Sequence, residues 1–446
     1  MSRRVPCSDL PRQEHKSVEY AKPALTELSS SNRNVDLGMS AAGRELTDLH
    51  NSTRFGDLPP VAPRLRLAGP ITHTLVGGKL CPASSFHSSV RTLTPLLRRA
   101  KSLIGLDIGS SAVKAVELKT AGRAYKVASY GSEPLPPDSI VDGAIIDGAA
   151  VADAIRRLFD ARSIRTKDVA ASLSGNAVIV KKITLPVMTE TELAESIYWE
   201  AEQYIPFDIQ DVNLDYQVLD GGDPAAKGTM DVLLVAAKKE KIADYTGVIA
   251  QAGRTAVVVD VDAFALQNAY EVNYGIDPGA VVVLLNAGAS ATNINILNGD
   301  QSVFTRDVSI GGNAYTEALQ RELSLPLDVA DQLKRGTAAD GMTFDDARPV
   351  LRAVSENVML EIQKTFDFFK ATASSDRIDR IVVSGGASRA EGFVDMLKER
   401  FEAPVELFDP FKKIGFDVKK LGADSAQAAS TAAVAVGLAL RRVGDR

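Results

Sequence analysis

Histidine and cysteine are nearly missing from this chain, and where they occur they are confined to its start. Of 446 residues only two are cysteine, Cys7 and Cys81, and four are histidine, His15, His50, His73 and His87. Beyond residue 100 there is neither. That part therefore has no Ser-His or Cys-His pair for nucleophilic catalysis and no His/Cys set for a zinc site. It has no disulfide either, which agrees with a reducing compartment. Long apolar runs are missing as well. None approaches the roughly 18 residues of a membrane-spanning helix, and the stretch from Ala432 to Leu440 is short and rich in alanine. No direct membrane insertion is expected.

Charge divides the chain at the same place. Residues 1–100 hold 14 Lys and Arg against 8 Asp and Glu, whereas residues 101–446 hold 37 against 49. Nine of the 20 prolines also precede residue 101. With Ser29-Ser30-Ser31, Pro59-Pro60 and no sustained period, residues 1–100 read as a disordered extension. Acidic residues at Glu14, Glu19 and Glu27 interrupt any targeting pattern, and there is no apolar signal core. A mis-assigned start codon explains the segment equally well, with the native chain then beginning close to Val90 or Leu97. No nucleic-acid partner is expected.

What is present begins with Leu103-Ile104-Gly105-Leu106-Asp107-Ile108-Gly109-Ser110-Ser111-Ala112-Val113-Lys114. An apolar strand runs into Asp-x-Gly-Ser-Ser and a second strand brings back a lysine. Asp107 at the strand end can orient the water shell of Mg²⁺, which keeps several waters. Gly109 permits a sharp turn, Ser110 and Ser111 let backbone N–H groups close on anionic oxygens, and Lys114 supplies a point charge for phosphate. Taken alone, an ordinary hairpin with a solvated Asp fits as well.

Two later segments alter that balance. Val283 to Ile296 repeats the pattern, with Asn286 where Asp107 stood, Gly288 where Gly109 stood, and Ala289 and Ser290 following. Similarity at this long spacing marks two duplicated halves. Arg380 to Arg389 is an apolar strand ending in Gly385-Gly386-Ala387, where a flat ligand such as a base or ribose can lie against bare backbone. Between these, a strand from Ser302 to Ile310 ends in Gly311-Gly312 and opens a helix with Asn313 as its N-cap, a place favourable for phosphate. Asp331 or Lys334 on the next helix reaches ribose or base in one reading, and is a solvated charge in the other.

Between the first hairpin and its repeat the pattern alternates between strand and helix. A helix carries Val151, Ala154, Ile155, Leu158 and Phe159 on one face. Strands at Val169–Leu173 and Val178–Thr184, a helix at Glu190–Tyr204, strands at Asn213–Leu219 and Asp231–Ala237 and a helix at Lys239–Ala252 make a compact α+β unit. Tyr198, Trp199, Tyr204 and Phe207 gather there, either as an aromatic core patch or as a groove for a partner peptide. A long helix, Ala347–Ala371, has Val354, Val358, Ile362, Phe366 and Phe369 along one stripe, which is core.

Three such turns in this order resemble the actin-like ATPase superfamily. Asp107 to Lys114 looks like its first phosphate motif, Asn286 to Asn293 like its second, and Val383 to Ala387 like its adenosine motif. The fold this implies is α/β, a duplicated actin-like ATPase fold with two lobes, a small inserted α+β subdomain and the disordered N-terminal extension. Its expected divisions are 1–100 extension, 101–165 first lobe, 166–262 inserted subdomain, 263–378 second lobe, and 379–446 adenosine-motif segment and return to the first lobe. The ligands implied are ATP and Mg²⁺.

A small insertion early in the first half is similar to the cell-division protein FtsA and to the type IV pilus assembly protein PilM. Ile183 to Leu193, Trp199 to Asp208 and Glu361 to Phe369 are similar to the PilM family. FtsA carries a C-terminal amphipathic membrane helix, whereas this sequence reads to Arg446 directly after a helix at Ser430–Arg442. The PilM resemblance implies a cytoplasmic protein peripheral to the inner membrane through a partner. It would hold the N-terminal cytoplasmic peptide of a PilN-like membrane protein between the inserted subdomain and the first half. A homo-oligomer is allowed. Asn286 departs from the Asp common at this turn, so hydrolysis is expected to be weak or absent, and no catalytic residue is assigned. The alternatives are an FtsA-like filament protein and a small-molecule kinase of the same fold.

N-terminal sequencing of the protein from its own source tests the start. Under the mis-assigned start it begins close to Val90 or Leu97, and recovery of Met1 would refute that.

Overall fold

A computed structural model describes residues 103–122, 124–219, 228–372, 377–416 and 429–443. The expected disordered extension at 1–100 lies outside these residues. Two five-stranded sheets of matching topology form the frame. In the first, β1 (Ile104–Ile108), β2 (Ala112–Ala121) and β3 (Ala124–Pro134) form an antiparallel meander. On the other side of β1, β6 (Asp168–Leu173) and then β10 (Thr255–Val261) pair parallel, giving the order β10-β6-β1-β2-β3. A small ladder of β4 (Ile140–Val141) and β5 (Ala144–Ile145) follows the meander.

The second sheet repeats the plan. Strands β11 (Val281–Ala287), β12 (Thr292–Asn298) and β13 (Gln301–Val308) are the meander, and β14 (Arg380–Ser384) and β15 (Val405–Leu407) pair parallel on the far side of β11. The duplication read from the two hairpins thus extends to whole sheets. A near-continuous apolar run, Val281 to Leu285, suits β11 because both faces of its sheet are covered, with Val281, Val283 and Leu285 in one core and Val282 and Leu284 in the other. The second lobe therefore reaches past residue 378, since β14 and β15 complete its sheet.

Each sheet has an outer helical layer. Helices α1 (Gly148–Ala161) and α3 (Lys239–Gln251) bury Ile155, Phe159 and Ile249 on the first. The outer face of the second is covered by α5 (Gly312–Leu323), α6 (Leu327–Lys334), α7 (Phe344–Thr372) and α8 (Phe393–Arg400). The stripe expected on α7 is core: Val358, Ile362, Phe366 and Phe369 are buried, and Val354 packs against them.

Between the two sheets lie α4 (Asp262–Tyr274) and α9 (Ala433–Ala439), in a core with Val116 of β2 and Leu284 of β11. These helices touch backbone to backbone. A Cβ at Gly437 would lie 1.7 Å from the Ala265 carbonyl oxygen, and one at Gly105 would lie 2.0 Å from that of Ala435. Just past α9, Arg441 pairs with Asp260 at 3.0 Å, both side chains about 1% exposed.

A third sheet stands apart. Strands β7 (Val178–Pro186), β8 (Val212–Leu219) and β9 (Thr229–Lys238) pair antiparallel in the order β7-β9-β8 and are covered by α2 (Glu190–Glu202). The range expected for the inserted subdomain, 166–262, takes in more than this unit. Strands β6 and β10 pair in the first-lobe sheet and α3 packs on it, because their apolar runs complete that core. A reciprocal cap starts α2: Thr189 Oγ1 accepts from the Glu192 N–H and Glu192 Oε2 accepts from the Thr189 N–H. The aromatic group divides. Tyr204 and Phe207 lie against the core of this unit, whereas Tyr198 and Trp199 on α2 are 52% and 73% exposed, so the core reading fails for those two.

The helix crossing sets opposite expectations for two glycines. Gly437→Ala forces α9 off α4 and should lower stability by about 3 kcal/mol or more, on the order of an overpacked core. Gly247→Ala, on an α3 position with nothing within 4 Å of the added Cβ, should raise it by about 0.5–1 kcal/mol. Urea denaturation of both variants checks the pair.

Candidate site in the cleft between the two lobes

The β1–β2 and β11–β12 turns have the same internal wiring. Gly109 N–H donates to Ala112 O at 3.2 Å, and Gly288 N–H donates to Ala291 O at 2.8 Å. One register step below each turn sits a cross-strand pair, Asp107 opposite Lys114 and Asn286 opposite Asn293. The first is an ion pair at 2.9 Å and the second an amide hydrogen bond at 3.0 Å. The turns face one another closely enough for Ser110 Oγ and Ser290 Oγ to share a hydrogen bond of 2.6 Å. Among the described residues, the N–H groups of Ser110, Ser111, Ala289 and Ser290 make no backbone hydrogen bond. Small residues at the turns keep those donors uncovered.

The glycine pair Gly311-Gly312 joins the second turn in a different way from that expected. Helix α5 is capped at Gly311, not at Asn313. The N–H groups of Gly312 and Asn313 donate to Gly288 O and Ala289 O at 2.9 and 2.8 Å. The first donors of this helix are therefore spent on the hairpin and not available to a phosphate. A Cβ at Gly311 would fall 2.5 Å from Ala289 O, so that glycine serves the docking of α5 on the turn.

Gly385 ends β14 at φ 91°, a conformation that favours glycine. Its missing Cβ would meet Ala287 O at 2.2 Å, so the adenosine-type strand end lies directly against the end of β11. Gly386 is open: an added Cβ would find only Thr431 Cγ2, at 3.9 Å. Ala387 is buried and faces Gly312. Lys334 is tied within the second lobe, pairing with Asp331 at 2.8 Å and donating to Thr316 Oγ1 at 2.8 Å and Gly312 O at 3.4 Å. Every expected site residue thus belongs to one contiguous cluster. Within it Gly311 and Gly312 pack on the second turn, and Ala387 and Lys334 contact Gly312.

Three acidic residues converge on the seam, and two of them were not singled out by sequence. Asp262 opens α4, and Ser172 Oγ donates to its Oδ1. Asp307 on β13 accepts from Asn293 Nδ2 at 2.8 Å. Burial, then the like charge of Asp107 and more weakly of Asp307, push the Asp262 carboxyl up to about 6 against the pull of its hydrogen bonds from Ser172 and Ser174. Burial opposes the Lys114 charge, but Asp107 outweighs it and holds that ammonium above its ordinary value. The signal for Asp262 was an acid closing the apolar run Thr255 to Val261 at a helix start. Asp307 had only its register beside Asn293.

Over residues 105–443 the sequence matches the family described as type IV pilus assembly protein PilM. Among solved structures it resembles that of a PilM–PilN type IV pilus biogenesis complex, at 30% identity and a TM-score of 0.68, covering 77% of this chain and 99% of that one. Ethanolamine utilization protein EutJ from Carboxydothermus hydrogenoformans matches at 14% identity and a TM-score of 0.46, covering 76% and 89%. MreB5 of Spiroplasma citri bound to ADP matches at 13% and 0.43, covering 76% and 94%.

Asp262 makes stability depend on pH in a defined direction. Between the ordinary value of 3.8 and about 6 the folded chain keeps a proton that the unfolded chain releases, so stability falls as pH rises through that window. Relative to wild type, Asp262→Asn should gain about 2 kcal/mol between pH 4.5 and 7.5, levelling off above about 6.5. Urea midpoints measured across that range check it, and a difference that stays flat with pH would remove Asp262 from the account.

Proposed function

We propose that the chain, which belongs to the type IV pilus assembly protein PilM family and has two sheets of matching topology, is an ATP-binding scaffold of the pilus inner-membrane assembly platform. The observation that carries the nucleotide part is the facing pair of turns. Each has two N–H groups with no backbone partner, at Ser110 and Ser111 and at Ala289 and Ser290, and the two turns meet at the Ser110–Ser290 hydrogen bond. Such paired donors suit the oxygens of a polyphosphate. The bare face of Gly386 leaves room for the flat part of the ligand. A Cβ on Gly109 would press within 3.3 Å of Lys114 Nζ, so the glycine keeps that ammonium within reach of the turn.

ATP would supply charge and shape to hold the lobes together. Asp107 would orient Mg²⁺ through water, because among the described residues no group of three or more acids, histidines or cysteines is placed to hold a metal directly. At the second turn an amide stands where an acid would orient water, and Asn286 Nδ2 is engaged by Asn293. Binding with weak or absent hydrolysis follows.

The partner in this reading is the N-terminal cytoplasmic tail of a PilN-like inner-membrane protein. It is supported by the neighbour solved as a PilM–PilN complex and by the exposed Tyr198 and Trp199 on α2, aromatics being favoured at binding surfaces. Among the described residues no helix is long and apolar enough to cross a membrane. The tail would then hold the chain on the cytoplasmic side of the inner membrane, peripheral to it.

Calorimetric titration of the full chain with a peptide copying such a tail, with and without Mg-ATP, tests the reading. Saturable one-to-one binding supports it, and no binding under either condition overturns it. Lys114→Met should weaken Mg-ATP at least tenfold by loss of the phosphate-facing charge, measured by displacement of a fluorescent nucleotide.

A further inference from the structure

Asp307 lies on β13 in the second lobe, yet its two carboxylate oxygens face different parts of the molecule. Oδ1 accepts from Asn293 Nδ2 at 2.8 Å; Asn293 Oδ1 accepts from Asn286 Nδ2 at 3.0 Å; Asn286 Oδ1 accepts from Ser384 Oγ at 3.4 Å. A row of side chains therefore runs from the adenosine-type strand β14, across the second turn, to Asp307. Its other oxygen, Oδ2, accepts from the backbone N–H of Gly175. Gly175 forms the turn between β6, a first-lobe strand, and β7, the first strand of the inserted sheet.

The chemistry gives this row a direction. A carboxylate only accepts, so Asn293 must present its NH₂ to Asp307 and its carbonyl to Asn286. Asn286 must then present its NH₂ to Asn293, which leaves its carbonyl for the hydroxyl of Ser384. The anion thus orients both amides of the row, while the single Ser384 hydroxyl proton is shared between Asn286 Oδ1 and Leu285 O, each at 3.4 Å. An anionic ligand at the second turn competes for the Asn286 NH₂, and whatever it takes from Asn293 is passed to Asp307 and so to its hold on Gly175. Gly175 has φ 82°, and its turn is also held by Val178 N–H on Gly175 O at 3.0 Å and by Ser174 on Asp262, so Asp307 is one of several groups that set its place.

We propose that Asp307 is a positioning residue that couples occupation of the interlobe cleft to the placement of the inserted sheet. This rests on the nucleotide reading given above and adds the path by which the site is sensed. Where the tail binds the inserted unit, the coupling is reciprocal: nucleotide alters tail affinity by the factor by which tail alters nucleotide affinity.

The test uses the full chain as wild type, Asp307→Ala, Asn293→Ala and the double variant, each without nucleotide and at saturating Mg-ATP. Hydrogen exchange over residues 174–186 is read with and without nucleotide, and tail affinity is read by calorimetry. In wild type, nucleotide should change protection of β7 and shift tail affinity at least fivefold. In Asp307→Ala both effects should vanish although nucleotide binds. Asn293→Ala should match it, and the double variant should be no worse than either. Asp307→Asn keeps the shape but can accept properly from only one side, so it should lose most of the coupling and covers the case in which the alanine variant does not fold. A nucleotide effect on β7 that survives in Asp307→Ala and Asp307→Asn overturns the proposal, as does its absence in wild type that binds nucleotide. Failure of the tail to bind wild type overturns the scaffold reading alone, and the exchange arm still decides on Asp307. Failure of Mg-ATP to bind overturns both.

Discussion

Gly437 has no side chain because the carbonyl of Ala265 on the crossing helix occupies the place where one would be. That backbone contact brings α4 and α9 together in the layer between two sheets, and the thickness of the layer sets how far apart the lobes stand. Gly105 repeats the device one level down, where β1 meets α9. The two hairpin turns stand on sheets held at that spacing, which brings Ser110 within 2.6 Å of Ser290. Close packing resists gradual compression, so a ligand that parts the turns must move the lobes as bodies. Asp260 and Arg441, buried together beside α9, tie the end of the layer to β10. Breaking such a pair costs more than forming it returns, which favours a layer that pivots intact.

The two halves repeat a backbone but not its charge. The first turn is flanked by an ion pair, the second by two amides. Around the seam Asp107, Asp262 and Asp307 stand against Lys114, already engaged with Asp107, and Lys241, which feels the charge of Asp262. A polyphosphate brought into such surroundings needs more positive charge than the side chains present supply. In the proposed reading, backbone donors would meet part of the need and a hydrated divalent cation beside Asp107 would meet more. The same excess of negative charge helps keep a proton on Asp262 near pH 6. Phosphoryl transfer depends on positioning and charge stabilisation. With amides at the second turn, the proposed site would be better equipped to hold a nucleotide than to turn it over.

The hairpins were legible because their chemistry is local. Asp107 and Lys114 are seven residues apart, and a tight turn between two apolar strands puts them opposite one another in any hairpin of that length. Duplication was legible for the same reason, since the second copy repeats the spacing. The roles of Gly311, Gly312 and Ala387 were not, because a glycine pair or small residue looks alike whether backbone approaches a ligand or another backbone. Here the approach is to Gly288 and Ala289. Asp307 depends on the register of a third strand, and Gly175, its partner, is 132 residues away in sequence. The width of the inserted unit was misjudged because β6 and β10 read as strands either way, and only their pairing assigns them to a lobe. Tyr198 and Trp199 share a helix with Leu193 and Ile197 but point off its buried stripe.

One face of the inserted sheet shares a core with α2, and the other packs through Leu233 and Val235 on Val261, Ala263 and Phe264. The sheet enters the chain from β6 and leaves through α3, both fixed to the first lobe. Its first strand lies beside β13 of the second lobe, and Asp307 reaches across to the turn that begins it. A unit rooted in one lobe and held by a carboxylate from the other cannot stay still relative to both when they rotate. Either the bond to Gly175 stretches or the sheet follows the second lobe. Hydrogen bonds to charged groups contribute about 1.5–3 kcal/mol, comparable to the coupling energies of about 1–3 kcal/mol that link sites in allosteric proteins. On the proposal above, the bond to Gly175 would bias the inserted sheet toward the second lobe against its packing on Val261, Ala263 and Phe264, and a partner held there would register the state of the site.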